Sequence, residues 1–218
     1  MQAQTSTMLE LLKAKDENRD VSWEDKFVEA FAHSKVDIEN EEPITGPDGW
    51  PYLLVKSSET AAESVPKVLE WLSDKGVGLA LNAKEGSAPD YVFTYGMIWN
   101  YMQRGQFFLS LQQVEELGEV VIEEGQEVMV GEPSEDYFPK YARSVFKQFL
   151  KDQEIEAAKL LVMSPDEKHF DLCFSLESLG NPPEEEHEGI LEAFSWFFPM
   201  HYSLMLISEE ELPEFFDL

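Results

Sequence analysis

The 218-residue sequence is poor in cysteine, in basic residues and in long apolar runs. Its single cysteine, Cys173, has no internal partner, so no disulfide staples the fold and a reducing, cytoplasmic compartment is expected. No apolar run approaches the ~20 residues a membrane helix needs. The opening Met1-Gln2-Ala3-Gln4 lacks a basic region followed by an apolar stretch, so no secretory leader is expected. Lysine and arginine number 16 against 44 aspartates and glutamates, a net charge of −28. Such a surface repels phosphate backbones and anionic lipid, so direct binding of nucleic acid or membrane is not expected, whereas a basic protein partner would be attracted. Catalytic spacing is missing too. There is no G-x-S-x-G elbow, no G-x-G-x-x-G and no P-loop. Ser195 lies inside the apolar FSWFF run of 194–198 with no base at suitable spacing. No catalytic residue, metal or cofactor is therefore expected.

What is present is apolar surface. The hydrophobic fraction is 43%, with 15 Phe and 5 Trp, enough for folded cores in two small domains. Residues 1–22 read as an N-terminal helical arm, 23–123 as one α/β lobe and 124–218 as a second, with a boundary near Glu123-Glu124-Gly125. In the first lobe Ser22 is placed to cap a helix carrying Phe27 and Phe31. VDIE (36–39) and WPYLLV (50–55) read as strands. Ser57 to about Ser73 reads as a helix interrupted by Pro66, and GVGLALN (76–82) as a buried strand. Strand–helix–strand favours a parallel pair with a right-handed crossover. The segment 91–108, YVFTYGMIWNYMQRGQFF, is apolar on every face if helical, which marks core or interface.

In the second lobe EVMV (127–130) reads as a strand and Ser134 as the cap of a helix to Asp152 with its stripe at Phe138, Ala142, Val145, Phe146, Phe149 and Leu150. IEAAKLLVMS (155–164) and FDLCFSLE (170–177) form a hairpin across SPDEKH. A helix from Asn181 to about Phe198, a strand at 202–207 and a short turn capped by Ser208 complete it. The order β-α-β-β-α-β suggests an α+β, ferredoxin-like lobe with a split βαβ.

These motifs carry a resemblance. Gly131-Glu132-Pro133 follows a strand and opens a helix, and EIEAAKLLVM, a hairpin, FDLCFSLE, a helix and YSLMLIS follow. WPYLLVKSSETAAES leading into a helix and GLALNAKEG stand in the first half. Together they resemble the enhanced-serine-sensitivity protein B (SseB-like) family over roughly residues 23–218. Ala83 stands where that family usually has Pro, and Ser57-Ser58 where Thr-Ser is usual. No reaction is established for the family, so the resemblance implies a two-domain α/β fold and a non-catalytic role.

One stretch invites a chemical reading: NPPEEEHEG, residues 181–189, puts Glu184, Glu185, Glu186, His187 and Glu188 in a row. A zinc motif would need a second His four residues after His187, where Leu191 stands. A helix start explains the stretch instead: Asn181 as cap, prolines in the first turn and acids on the helix dipole. Its remaining interest is charge, because no Lys or Arg follows Lys168 while twelve acids do. Three candidate surfaces result: the acids Glu184, Glu185, Glu186 and Glu188; the aromatics Tyr95, Trp99 and Tyr101; and a basic helix face of Lys140, Arg143, Lys147 and Lys151. The expected function is a protein-binding accessory or regulatory module. The alternatives are an inhibitor or immunity-type protein whose acidic face blocks a basic, nucleic-acid-binding partner, and a small-molecule enzyme with its site between the lobes.

Overall fold

The computed structural model describes residues 2–84, 87–109, 113, 128–210 and 212–218. The chain is an α+β protein of two units, Met1–Phe107 and Phe108–Leu218. The boundary expected near Glu123–Gly125 falls outside the described residues. Among the described residues no helix is long and apolar enough to cross a membrane.

The first unit begins with α1 (Gln2–Leu11) and α2 (Val21–Ala32). The first twenty-two residues are not a separate arm. Met8 is fully buried, the Thr5 hydroxyl accepts from the Lys35 N–H at 3.2 Å, and the Trp23 indole N–H donates to the Leu11 carbonyl at 3.0 Å. The cap of α2 is Asp20, whose carboxylate accepts from Trp23 N at 2.8 Å; Ser22 lies inside the first turn. Arg19 explains the earlier start: its guanidinium donates to the carbonyls of Leu12, Ala14 and Asp90, fixing the chain just before the helix.

The sheet of this unit runs β4 (Glu63–Ser64), β1 (Lys35–Ile38), β3 (Pro51–Lys56), β5 (Gly78–Leu81), β6 (Tyr91–Phe93), with β2 (Ile44–Thr45) also on β3. β3 and β5 are parallel, the pairing that the strand–helix–strand pattern favours, joined by α3 (Val65–Leu72). Pro66 sits in the first turn of α3, where its missing N–H is harmless. The helix is shorter than the pattern implied because the Asp37 carboxylate accepts from the Ser58 hydroxyl and the Ala62 N–H, holding 58–62 off the helix. Gly78 is needed by close approach: a Cβ there would meet the Tyr52 ring at 2.7 Å and the Phe93 carbonyl at 2.8 Å. The aromatic segment is not one helix. It divides at Thr94 into β6 and α4 (Tyr95–Arg104), the Thr94 hydroxyl accepting from Met97 N.

The second unit contains β7 (Met129–Gly131), α5 (Lys140–Asp152), β8 (Lys159–Ser164), β9 (Asp171–Ser175), α6 (Glu184–Ser195), β10 (Ser203–Ile207) and β11 (Phe216–Asp217). The element order matches the β-α-β-β-α-β reading; the strand pairing does not match a split, ferredoxin-like sheet. The sheet runs β10-β9-β8-β11, with β7 also on β8. β10 lies directly beside β9, parallel, in the place a split arrangement would give to β7. Leu172 and Phe174 of β9 then share a face with Leu204 and Leu206 of β10, under α5 and α6. Phe146 of α5 is the hub of that core, with its ring 4.9–6.4 Å from those of Phe138, Phe149, Phe174, Phe194, Phe197 and Phe198.

Two helix starts move. Ser134 accepts from Tyr137 N and caps a separate turn, and α5 begins only after Pro139. Asn181 is not the cap of α6: with φ +53° its N–H closes onto the Leu176 carbonyl, finishing the turn that leaves β9, and α6 begins after Pro183.

The two units share a plan. Each has a helix, an antiparallel strand pair, a crossover helix and a strand parallel to the second of the pair: α2-β1-β3-α3-β5 and α5-β8-β9-α6-β10. They differ at the last strand. β6 pairs antiparallel with the outer edge of β5, whereas no described strand lies beyond β10.

Candidate partner-binding surface

One group of acidic residues of the second unit lies at the carboxyl ends of β9 and β10. β9 runs out through Ser175 and Glu177, and α6 starts back from that end, so Glu184, Glu185 and Glu186 occupy its first turn. β10 returns to the same end and continues into Ser208, Glu209 and Glu210. Two of these acids are structural. Glu177 accepts from the Ser208 hydroxyl at 2.6 Å and the Glu209 N–H at 2.9 Å, and these hydrogen bonds hold its carboxyl below the usual range. Glu209 accepts from the buried Ser175 hydroxyl at 2.6 Å and lies 3.5 Å from the Lys159 ammonium. The other acids are free of such duty. Glu184, Glu185, Glu186 and Glu188 are all exposed, and among the described residues none forms an ion pair. His187 is half-buried and its Nε2 donates to the Pro182 carbonyl at 3.0 Å, which locks the helix start. Among the described residues no three His, Cys, Asp or Glu side chains gather so as to hold a metal ion.

The basic face of α5 is largely spoken for. Lys140 pairs with Glu135 at 2.5 Å. Arg143 is 17% exposed at its side chain and holds the segment before α5, donating to the carbonyls of Phe138 and Pro133 and pairing with Glu132. Lys147 donates to the main-chain oxygen of Leu218. Lys151 is exposed at the last turn. None of the described ion pairs joins this face to the glutamates of α6.

Two of the three aromatic candidates are corrected. Tyr95 and Trp99 are fully buried within the first unit, and the Tyr95 hydroxyl donates to the Ser73 carbonyl at 2.6 Å. They cannot contact a partner without unfolding α4. Their burial follows from α4 carrying apolar residues on the face packed against α3 and β5. Tyr101 is half-buried and stacks on Phe107 at 4.7 Å.

One surface went unread in the sequence. Along β10, Ser203 and Met205 are exposed and Leu204, Leu206 and Ile207 only half-buried, whereas every residue of the equivalent β5 is buried. Met205 is 41% exposed. The string SLMLI has no alternation and reads as a covered strand; nothing in a single sequence says which strand ends a sheet. Cys173, on β9, behaves as a core residue: it is fully buried, and burial pushes its thiol up to about 12. A hollow of about 550 Å³ beside β7, lined by Val128, Met129, Pro165, Asp166 and Glu167, stands open to solvent. Its Asp166 carboxylate already closes the β8–β9 turn through the N–H groups of Lys168 and His169.

Comparison with family models, with curated proteins and with solved structures found no match.

Proposed function

We propose that this chain is a non-catalytic, cytoplasmic, protein-binding accessory or regulatory module, SseB-like in character, that receives a basic partner at the acidic end of its second unit. The observation that carries this is the quartet Glu184, Glu185, Glu186 and Glu188: exposed, unpaired among the described residues, and set beside further acids at the ends of β9 and β10. Four like charges crowded on one helix start repel one another and gain when a cation arrives. The helix dipole tolerates them there, so the charge costs the fold little.

The test is affinity capture at low and high salt with the parent chain and a chain bearing lysine at all four positions. A partner retained at low salt, released at high salt and lost by the four-lysine chain is the expected outcome. Equal retention by both chains would refute the acidic surface. A partner whose nucleic-acid binding is abolished in the complex would give the module the inhibitory role.

A further inference from the structure

We infer that the outer edge of β10 is a docking strand for an extended segment of a partner protein, one with lysines or arginines just before a short apolar β-run. This deepens, and rests on, the reading of the acidic end as the partner surface.

The main chain supplies the site. Leu176 N–H donates to the Ile207 carbonyl at 2.9 Å, so Ile207 points its peptide groups at β9. By the two-residue alternation of a strand, Ser203 and Met205 do the same, and the N–H and C=O groups of Leu204 and Leu206 point outward. No described strand receives them. The edge strand lacks protective side chains: Ser203–Ile207 contains no lysine, no proline and no charge. Met205 adds an adaptable apolar contact on the strand, and Met200, three residues before it begins, is 73% exposed.

The other unit shows how such an edge is filled. β5, at the same point of the shared plan, takes β6 antiparallel through Leu79↔Phe93, Ala80↔Val92 and Leu81↔Tyr91. A strand docking on β10 in the same sense enters at the Ile207 end and leaves at the Ser203 end. The Ile207 end carries Glu209, Glu210 and the α6 quartet, whereas at the Ser203 end Asp171 stands opposite Ser203 after a turn that holds Lys168 as well as Asp166 and Glu167. Basic residues at the start of the incoming strand therefore meet carboxylates, and its apolar residues then lie against Leu204, Met205 and Leu206. A second copy of this chain is a poorer occupant, because two chains of net charge −28 repel.

The experiment selects peptides from a random-sequence library on the immobilised full chain, then measures each on three variants: Leu204→Pro, which removes an outward N–H while leaving the β9-facing bonds; Met205→Lys, which charges the exposed side chain; and the four-lysine chain. Amide spectra confirm that each variant is folded. The expected peptides carry Lys or Arg ahead of alternating β-branched residues, protect the Leu206 amide from exchange, and bind Leu204→Pro and Met205→Lys at least about tenfold more weakly. Peptides that lose affinity for the four-lysine chain but not for the two β10 variants would overturn the docking strand and leave the acidic surface standing. Peptides lost by the β10 variants but held by the four-lysine chain would overturn the acidic surface instead. Enrichment of no peptide, or a concentration-dependent dimer that protects Leu206 by itself, would overturn the partner strand.

Discussion

β5 and β10 occupy the same place in the plan the two units share, and their surroundings are opposite. β5 is buried along its whole length, flanked by β3 on one edge and β6 on the other. β10 has a neighbour on one edge only among the described residues, and its side chains are exposed or half-buried. A parallel strand delivered by a crossover helix is usually interior, because both faces and both edges must be satisfied away from water. The first unit meets that rule with Tyr91, Val92 and Phe93, then packs α4 against α3 and β5. The second spends its final strand, β11, on the far side of β8, pairing Phe216↔Leu160 and Asp217↔Lys159. One repeated plan therefore yields a parallel strand paired on both edges and, among the described residues, one paired on a single edge, and the exposed α6 quartet belongs to the second.

The largest expected effects come from the two cores. Phe146→Ala removes the hub of the second unit and should destabilise it by about 3–5 kcal/mol, with Trp99→Ala doing the same to the first. Hydrogen exchange should show amide protection lost in the unit that carries each change. Loss spread equally over both units after either change would break the comparison, because it would make them one cooperative body.

Strand glycines give a smaller and sharper contrast. Gly78→Ala pushes a methyl against the Tyr52 ring and the Phe93 carbonyl and should cost about 1–3 kcal/mol. Gly131→Ala, on β7, meets nothing within 4 Å and should be close to neutral. Denaturant midpoints of the two variants check this directly.

The smallest effect is a pH dependence peculiar to the second unit. The N–H groups of His169 and Lys168, donating to the Asp166 carboxylate, lower its pKa from 3.8 to about 2. A depressed folded-state pKa adds stability above the unfolded value, and that stability is lost as pH falls from about 4 to about 2. Asp166→Asn should therefore be slightly less stable than the parent near neutral pH and equal to it in strong acid. Melting temperatures across that range would show the two curves converging; parallel curves would remove Asp166 from the account.

The elements were largely legible in the sequence because their periodicity is strong. Phe27 with Phe31, and Ala142 with Phe146 and Leu150, mark helix faces, and β3, β8 and β9 are bounded apolar runs. Boundaries went wrong where a side chain took over a backbone bond. Asp20 outcompeted Ser22 as a cap, Asp37 shortened α3, Thr94 cut the aromatic segment in two, and Asn181 turned left-handed instead of capping. Pairing was less legible still. The order β-α-β-β-α-β is compatible with a split sheet and with the unsplit one observed, and no local residue decides between them. At the candidate surface, the acids of α6 were visible as a charge run. The burial of Tyr95 and Trp99 was open in the sequence, because an all-round apolar helix serves a core or an interface equally well. The exposed edge of β10 had no local signal.

Amide hydrogen exchange on the complete chain tests the central contrast most directly. Leu204 and Leu206 should exchange rapidly while Met205 and Ile207, bonded toward β9, and the amides of β5 exchange slowly. Leu204 and Leu206 as slow as Leu79 and Leu81 would mean that the edge of β10 is already paired, and the open-edge account would be wrong.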